Sequence, residues 1–307
     1  MTDTPVLPPG ITVFERGWLS SNNILFTGGY RSALVDSGYC THAEQTVALV
    51  RGALGDRPLD RLVSTHLHSD HCGGNAALQA QYPEVQTRIP PGQAEHVRNW
   101  DPVALTYVPT GQQCPRFHYE GVLRPGATIN LGDLSWQIHA SPGHDPHSVV
   151  FFEPASRTLI SADALWENGF GVVFQELEGD QAFDEVARTL DLIEKLDPLL
   201  VIPGHGKVFS HVAQSLAAAR RRLDGFVQDP HRHAVHAAKV LLKFKLLELQ
   251  RLRLSEFVDW ARATPYFAMV HSRWFASESM EEWIEQLAED LVRSGAARRE
   301  GDYVTND

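Results

Sequence analysis

The chain has 307 residues, 43% hydrophobic and 21% charged, with three cysteines and a formal net charge of −11. This balance excludes a disordered or low-complexity chain and leaves room for one large domain, or a catalytic domain with an appendage. No apolar run reaches the roughly eighteen residues of a membrane-spanning helix, and Cys40, Cys72 and Cys114 are too few and too scattered for a disulfide framework.

The opening MTDTPVLPPG has neither the basic start nor the apolar stretch of a secretory signal. A cytoplasmic location is therefore expected. The charge is unevenly spread: residues 211–307 are balanced, so the whole acidic excess falls in residues 1–210. Such a surface repels polyanions at long range.

In chain order, the first run, SALVDSG (32–38), reads as a buried strand closed by a turn. A helix is expected over 42–54 after Thr41, then a strand in RLVSTH (61–66) and a second helix over 73–82. Residues 89–135 are rich in Pro, Gly and Gln without a clear period, and read as loops and short strands near the site. Strands follow in SVVFFEP (148–154), TLISADA (158–164) and LLVIPGHG (199–206). A helix over 180–196 separates the last two, with Phe183, Val186, Leu190, Ile193 and Leu196 at helical spacing. Strands alternating with helices predict an α/β layered domain over 1–210.

From about 209 the pattern becomes mostly helical. Val212, Leu216, Leu223 and Phe226 mark one helix, 231–249 a second, and Met280, Trp283, Ile284, Leu287 and Leu291 a third. SGAARREGDYV then reads as a helix stop and a short hairpin, which gives a second domain over 211–307.

The chemistry lies in His66-Leu67-His68-Ser69-Asp70-His71, directly after a strand. A tight loop at a strand end can converge four ligands that no single helix or strand face could. His144 lies in SPGH before the strand SVVFF, Asp163 ends LISAD, and His205 lies in PGHG after LLVIP. Ligands in open α/β sheets bind beyond the carboxyl ends of strands, so these residues can meet at one rim. Five imidazoles and two carboxylates suit Zn²⁺, and also Fe or Mn. Gathering them without a cation would be costly.

These motifs, THLHSDHCGG (65–74), SPGH (141–144), SADALW (161–166) and PGHG (203–206), with VDSG (35–38) upstream, resemble the metallo-β-lactamase superfamily. The resemblance covers roughly residues 11–208 and implies a four-layer αββα sandwich of two mixed β-sheets with metals at one edge. It implies that His66, His68 and His144 hold one metal, that Asp70, His71 and His205 hold another, and that Asp163 bridges them. The carboxylate at 163 resembles the glyoxalase II and general hydrolase branches rather than the Cys-using lactamases. The implied activity is that of a binuclear metallo-hydrolase, in which a metal-bridged hydroxide attacks an ester, thioester or related small acyl substrate. Asp70 is further implied in handling the proton. The tail, from LSEFVDWA to LAEDLVRSGAARREGDYV, resembles a winged-helix-like domain of lactamase-beta-like hydrolases.

Asp36 reads equally as an acceptor that orients a ligand imidazole and as a turn cap. His147 and Lys207 read as surface residues, Cys72 as packing, and His231, His233 and His236 as a solvated helix face. Trp166, Phe170 and Phe174 read either as core or as the wall of an apolar pocket. Nine basic residues between 220 and 253, among them Arg220, Lys243 and Arg251, raise an alternative reading as a nuclease on RNA or single-stranded DNA. The acidic first domain disfavours it. A second alternative is an iron-dependent redox enzyme of the same fold. The tail leaves room for a homodimer.

Overall fold

Short strands, apolar on both faces, build the first sheet of this computed structural model, which describes residues 6–306. Residues 1–5, part of the stretch searched above for a secretory signal, and residue 307 lie outside the described residues. The first sheet runs β1 (Ile11–Phe14), β2 (Asn23–Phe26), β3 (Ala33–Val35), β4 (Arg61–Val63), β5 (Gln86–Ile89) and β6 (Gly121–Val122), in that order. β1 to β3 pair antiparallel; β3 to β6 are parallel. Helices α1 (Ala43–Leu54), α2 (Ser69–Cys72) and α3 (Asn75–Gln81) make the crossovers that parallel pairing requires. After β5 come α4 (Ala94–Asn99) and α5 (Tyr107–Thr110).

The second sheet contains β7 (Thr128–Leu131), β8 (Leu134–Ala140), β9 (Val149–Glu153), β10 (Thr158–Ala162) and β11 (Leu200–Pro203), in the order β11-β10-β9-β8-β7. Its one parallel pair, β10 with β11, is bridged by α6 (Phe174–Glu178) and α7 (Ala182–Leu196).

Successive strand residues point to opposite faces, and both faces here are covered. Ile24, Phe26, Val35 and Val63 of the first sheet share one buried cluster with Trp136, Ile138, Phe151, Ile160 and Ile202 of the second, so the sheets pack face to face. The alternate residues Leu25, Leu34 and Leu62 pack outward with Val50 and Leu54 of α1 and Leu78 of α3. Each such side chain contributes about 1.5–3 kcal/mol by leaving water. On α7, Phe183, Val186, Leu190 and Ile193 are buried, the stripe read from the sequence. The expected sandwich of two mixed sheets between helices is the observed architecture.

The remaining elements are α8 (Val212–Gln228), α9 (Pro230–Leu249), β12 (Arg251–Arg253), α10 (Leu254–Ala263), α11 (Pro265–Trp274), α12 (Met280–Arg293), β13 (Ala297–Glu300) and β14 (Tyr303–Asn306). The last three strands form a small antiparallel sheet, with β13 and β14 as the expected closing hairpin. Helix α12 starts with a capping box between Ser279 and Glu282.

The chain divides into two compact units: residues up to Leu105 with Cys114–Asp224, and Thr106–Gln113 with Gly225–Asp307. The composition changes near 210, but contacts with the first unit continue along α8: Arg220 pairs with Asp191 and Glu194 of α7. Two readings need correction. Residues 89–135 contain helices α4 and α5, too short for a hydrophobic period to show, and α5 belongs to the second unit. His233 is buried rather than solvated, packed 4.8 Å from the ring of Phe226. Among the described residues, no helix is long and apolar enough to cross a membrane.

Candidate metal centre

Strand ends deliver the chemistry to one rim of the first unit. β3 ends at Val35 and is followed by Asp36; β4 ends at Val63 and opens through residues 64–68 into α2, which carries Asp70 and His71; β10 leads to Asp163 and β11 to His205. His144 lies in the turn before β9. The Val149 amide donates to the Thr65 carbonyl at 2.9 Å, which ties this turn to the loop after β4.

All seven residues singled out in the sequence come together there, in two groups. His66, His68 and His144 form one; Asp70, His71, Asp163 and His205 form the other, with ligating atoms in each group within 4.8 Å of one another. Asp163 stands between the groups. Its oxygens lie 3.4 Å from His144 Nε2 and 3.4 Å from His71 Nε2.

The outward partners of the rings decide which nitrogens face inward bare. His144 Nδ1 lies 2.6 Å from the Val172 carbonyl, which can only accept, so the proton sits on Nδ1 and Nε2 carries a lone pair. His71 Nδ1 donates to the Asp36 carboxylate at 2.8 Å, so its Nε2 is the nitrogen that faces the site. The Thr65 hydroxyl donates to Asp36 at 2.8 Å, so it can only accept from His66 Nδ1 at 3.1 Å. His66 Nε2, His68 Nδ1 and His144 Nε2 then meet at 3.2 and 2.9 Å. Three ring nitrogens crowd one space, and the buried Nε2 of His71 has no hydrogen-bond partner. The donor chemistry fits a divalent cation in this space.

Electrostatics follow from burial and neighbours. Burial, then the positive charge of neighbouring histidines, holds His66 well below the ordinary histidine value. The same causes bring His144 down to about 4. Burial also works against His71, but the carboxylates of Asp163, Asp36 and Asp70 outweigh it and raise that ring well above its ordinary value. For Asp163, burial pulls upward and is overcome by His71 and His205, which hold the carboxyl well below the usual range. Asp70 is lowered in the same way, against its burial, by His71 and by its 3.1 Å contact with His205.

Backbone close approaches make the geometry. A Cβ on Gly204 would lie 2.2 Å from Asp163 Oδ1 and 2.9 Å from His71 Cε1; one on Gly171 would lie 2.4 Å from His144 Nδ1. Only glycine lets these segments pass behind the ligands. Ala162, just before Asp163, holds a left-handed φ of 46° beside a register shift in β10, which turns the next side chain into the site.

The other residues weighed in the sequence also have places. Asp36 is the acceptor for His71. Trp166 donates its indole N–H to Asp163 Oδ1 at 3.1 Å. Phe170 is buried, His147 and Lys207 are exposed, and the Cys72 thiol turns away toward the Leu67 and His68 carbonyls. The basic residues after 220 are largely paired, as in Lys245 with Glu248 and Arg251 with Glu300.

Three residues were missed. Asn22 donates to the carbonyls of Pro203 and Gly206 at 3.0 and 2.8 Å, while the Ser21 amide donates to the Asp70 carbonyl, joining the loops that carry Asp70 and His205. Trp18, 57% exposed, stacks on His205 with ring centres 5.5 Å apart and meets Trp166 edge-on. Asp145, next to His144, is buried with its carboxylate 3.7 Å from His68 Nε2. Asp145 alone had a signal, its adjacency to His144. A small cavity of about 190 Å³ adjoins His144 and Asp163, lined by Pro142, Phe170 and Val186.

Comparison with known proteins agrees with this geometry. The chain is 26% identical over 237 residues to a type A flavoprotein of Rhodobacter capsulatus, covering 70% of this chain and 52% of that protein. It is 24% identical over 171 residues to a hydroxyacylglutathione hydrolase of Legionella pneumophila, covering 55% of each. It is 27% identical over 221 residues to a human acyl-coenzyme A thioesterase, covering 64% of this chain and 77% of that protein. The chain thus spans about half the length of the first two relatives. In fold it is similar to a β-lactamase domain protein of Burkholderia ambifaria, with a TM-score of 0.60 at 20% identity over 99% of this chain and 94% of that one. The family profile of the metallo-beta-lactamase superfamily matches residues 16–205, the span that carries both groups of ligating atoms. The chain belongs to the metallo-beta-lactamase superfamily.

Proposed function

We propose that the chain is a binuclear metal-dependent hydrolase of small acyl substrates, thioesters foremost. The convergence of five imidazoles and two carboxylates in two groups, with Asp163 between them, carries this reading. His66, His68 and His144 would hold one divalent ion, Asp70, His71 and His205 a second, and Asp163 would touch both. Ions held there lower the pKa of water and polarise a substrate carbonyl. Zn²⁺ suits the nitrogen-rich donor set.

This chain's own residues do the rest. Asp36 fixes the inward nitrogens of His71 and, through Thr65, of His66. Asp70, kept ionised by His71 and His205, can take a proton at a carboxylate oxygen as water adds to the carbonyl. Hydrolysis then gives the carboxylic acid and the free thiol. Trp18 and Trp166, which meet edge-on beside His205, offer an apolar wall for the acyl group. Relatives named for hydroxyacylglutathione and acyl-coenzyme A hydrolysis support a thioester substrate.

The test is a panel of acyl thioesters, esters and lactones with zinc-loaded and chelator-treated protein. Chelator-sensitive thioester cleavage is expected. Failure to cleave any member of the panel overturns the reading. The similarity to a type A flavoprotein favours a second reading, redox chemistry, for which iron at the same residues was the alternative drawn from the sequence. Mass-spectrometric metal analysis of protein purified without added metal tests it, because absence of iron excludes that reading.

A further inference from the structure

We infer that Asp145 is a positioning residue for His68, holding the proton of that ring on its outward nitrogen so that Nδ1 stays bare toward the first ligand group. The inference rests on the metal-centre reading above. His68 differs from its two neighbours: His66 and His144 present Nε2, whereas His68 presents Nδ1, at 3.2 and 2.9 Å from theirs. A neutral imidazole has one proton, so an Nδ1 freed to hold an ion requires an N–H at Nε2, whereas without an ion Nδ1 can instead donate to His144 Nε2 at 2.9 Å. That Nε2 faces Asp145 Oδ2 at 3.7 Å. The separation exceeds a hydrogen bond, so the carboxylate acts through its charge on the N–H dipole.

Asp145 is built to stay in place. It is only 3% exposed, and its other oxygen accepts the His147 amide at 2.7 Å. Ser148 closes the turn by donating its backbone amide to the Asp145 carbonyl at 3.3 Å. Without Asp145 the first group would be three rings whose outward partners are a carbonyl, a hydroxyl and no acid. With it, a negative charge stands one ring away from the cation and makes His68 a stronger donor.

The experiment compares the full chain with Asp145→Asn and Asp145→Ala, using Zn²⁺ alone as titrant into metal-free protein. Thermal unfolding confirms that each variant is folded, and Asp145→Asn preserves size if Asp145→Ala does not fold. Weakening of one of two binding events by about 10- to 100-fold, with the other unchanged, is expected. Long-range proton–nitrogen spectra of the metal-free proteins, with His68 assigned by a His68→Gln variant, should show a larger share of the Nε2–H form in the parent than in the variants. A His68 tautomer that is the same in parent and variants overturns the inference, as do two unchanged zinc affinities. If the parent binds no zinc, the metal-centre reading fails instead, and the spectra alone decide the role of Asp145.

Discussion

The Asp36 carboxylate receives the Nδ1 proton of His71 across 2.8 Å, and through Thr65 the same side chain sets the ring of His66. One carboxylate therefore orients an imidazole in each ligand group. Asp36 lies at a φ of 58°, which asparagine tolerates better than alanine, so Asp36→Asn is the informative change. Zinc affinity should fall by about 10- to 100-fold, with both binding events affected. Calorimetric titration of metal-free protein reads this, and two unaltered affinities would refute the shared role.

Gly204→Ala tests the close approach behind Asp163. The new methyl would overlap the Asp163 carboxylate, at 2.2 Å, and crowd His71. Overpacking of this kind costs about 1–3 kcal/mol. Bound metal per chain should drop, as counted by mass spectrometry, while circular dichroism keeps the parent's shape. Full metal content in the alanine variant would show that the loop yields.

Acid should destabilise the metal-free chain between pH 6.5 and about 4, because folded His144 titrates near 4 and an unfolded histidine near 6.5. In that window the unfolded chain binds more protons, so stability falls as pH falls. His144 alone accounts for about 3 kcal/mol at roughly 1.4 kcal/mol per unit. His66, also lowered, adds to the loss. His71 is shifted the other way: its contribution is complete below 6.5 and fades as pH rises through its raised value. Urea midpoints of the metal-free chain from pH 7 to 4 check this, and a constant midpoint would contradict it.

Trp18→Ala should raise KM for thioesters with aromatic acyl groups by about two- to tenfold, the scale of one aromatic contact. Acetyl thioesters should show no comparable change, and kcat should hold. An equal effect across the acyl series would mean that Trp18 only shields His205.

The seven residues that the structure brings together were legible because chemistry concentrates them: four in the six residues 66–71, and three more beside the ends of apolar strands. The strands after 32 were legible for the same reason, since burial on both faces leaves continuous apolar runs. Helix α4 was not, because six residues barely complete a turn and a half and show no period. His233 reads as polar by type, and only packing against Phe226 reveals it as core. Asn22 and Trp18 lie far along the chain from the motifs they serve. Their roles exist only once the loop between β1 and β2 lies against the turn after β11, a long-range arrangement that no local pattern encodes.

The bonds from Asn22 to the carbonyls around His205 span 181 and 184 residues of chain. Closing so long a loop costs entropy that must be met before any contact across it can stabilise the fold. The cradle is therefore a late product of folding: segments from both halves of the first unit must already be in place. Partly folded chains hold the individual histidines but not their common focus, so the seven side chains meet only with completion of the fold.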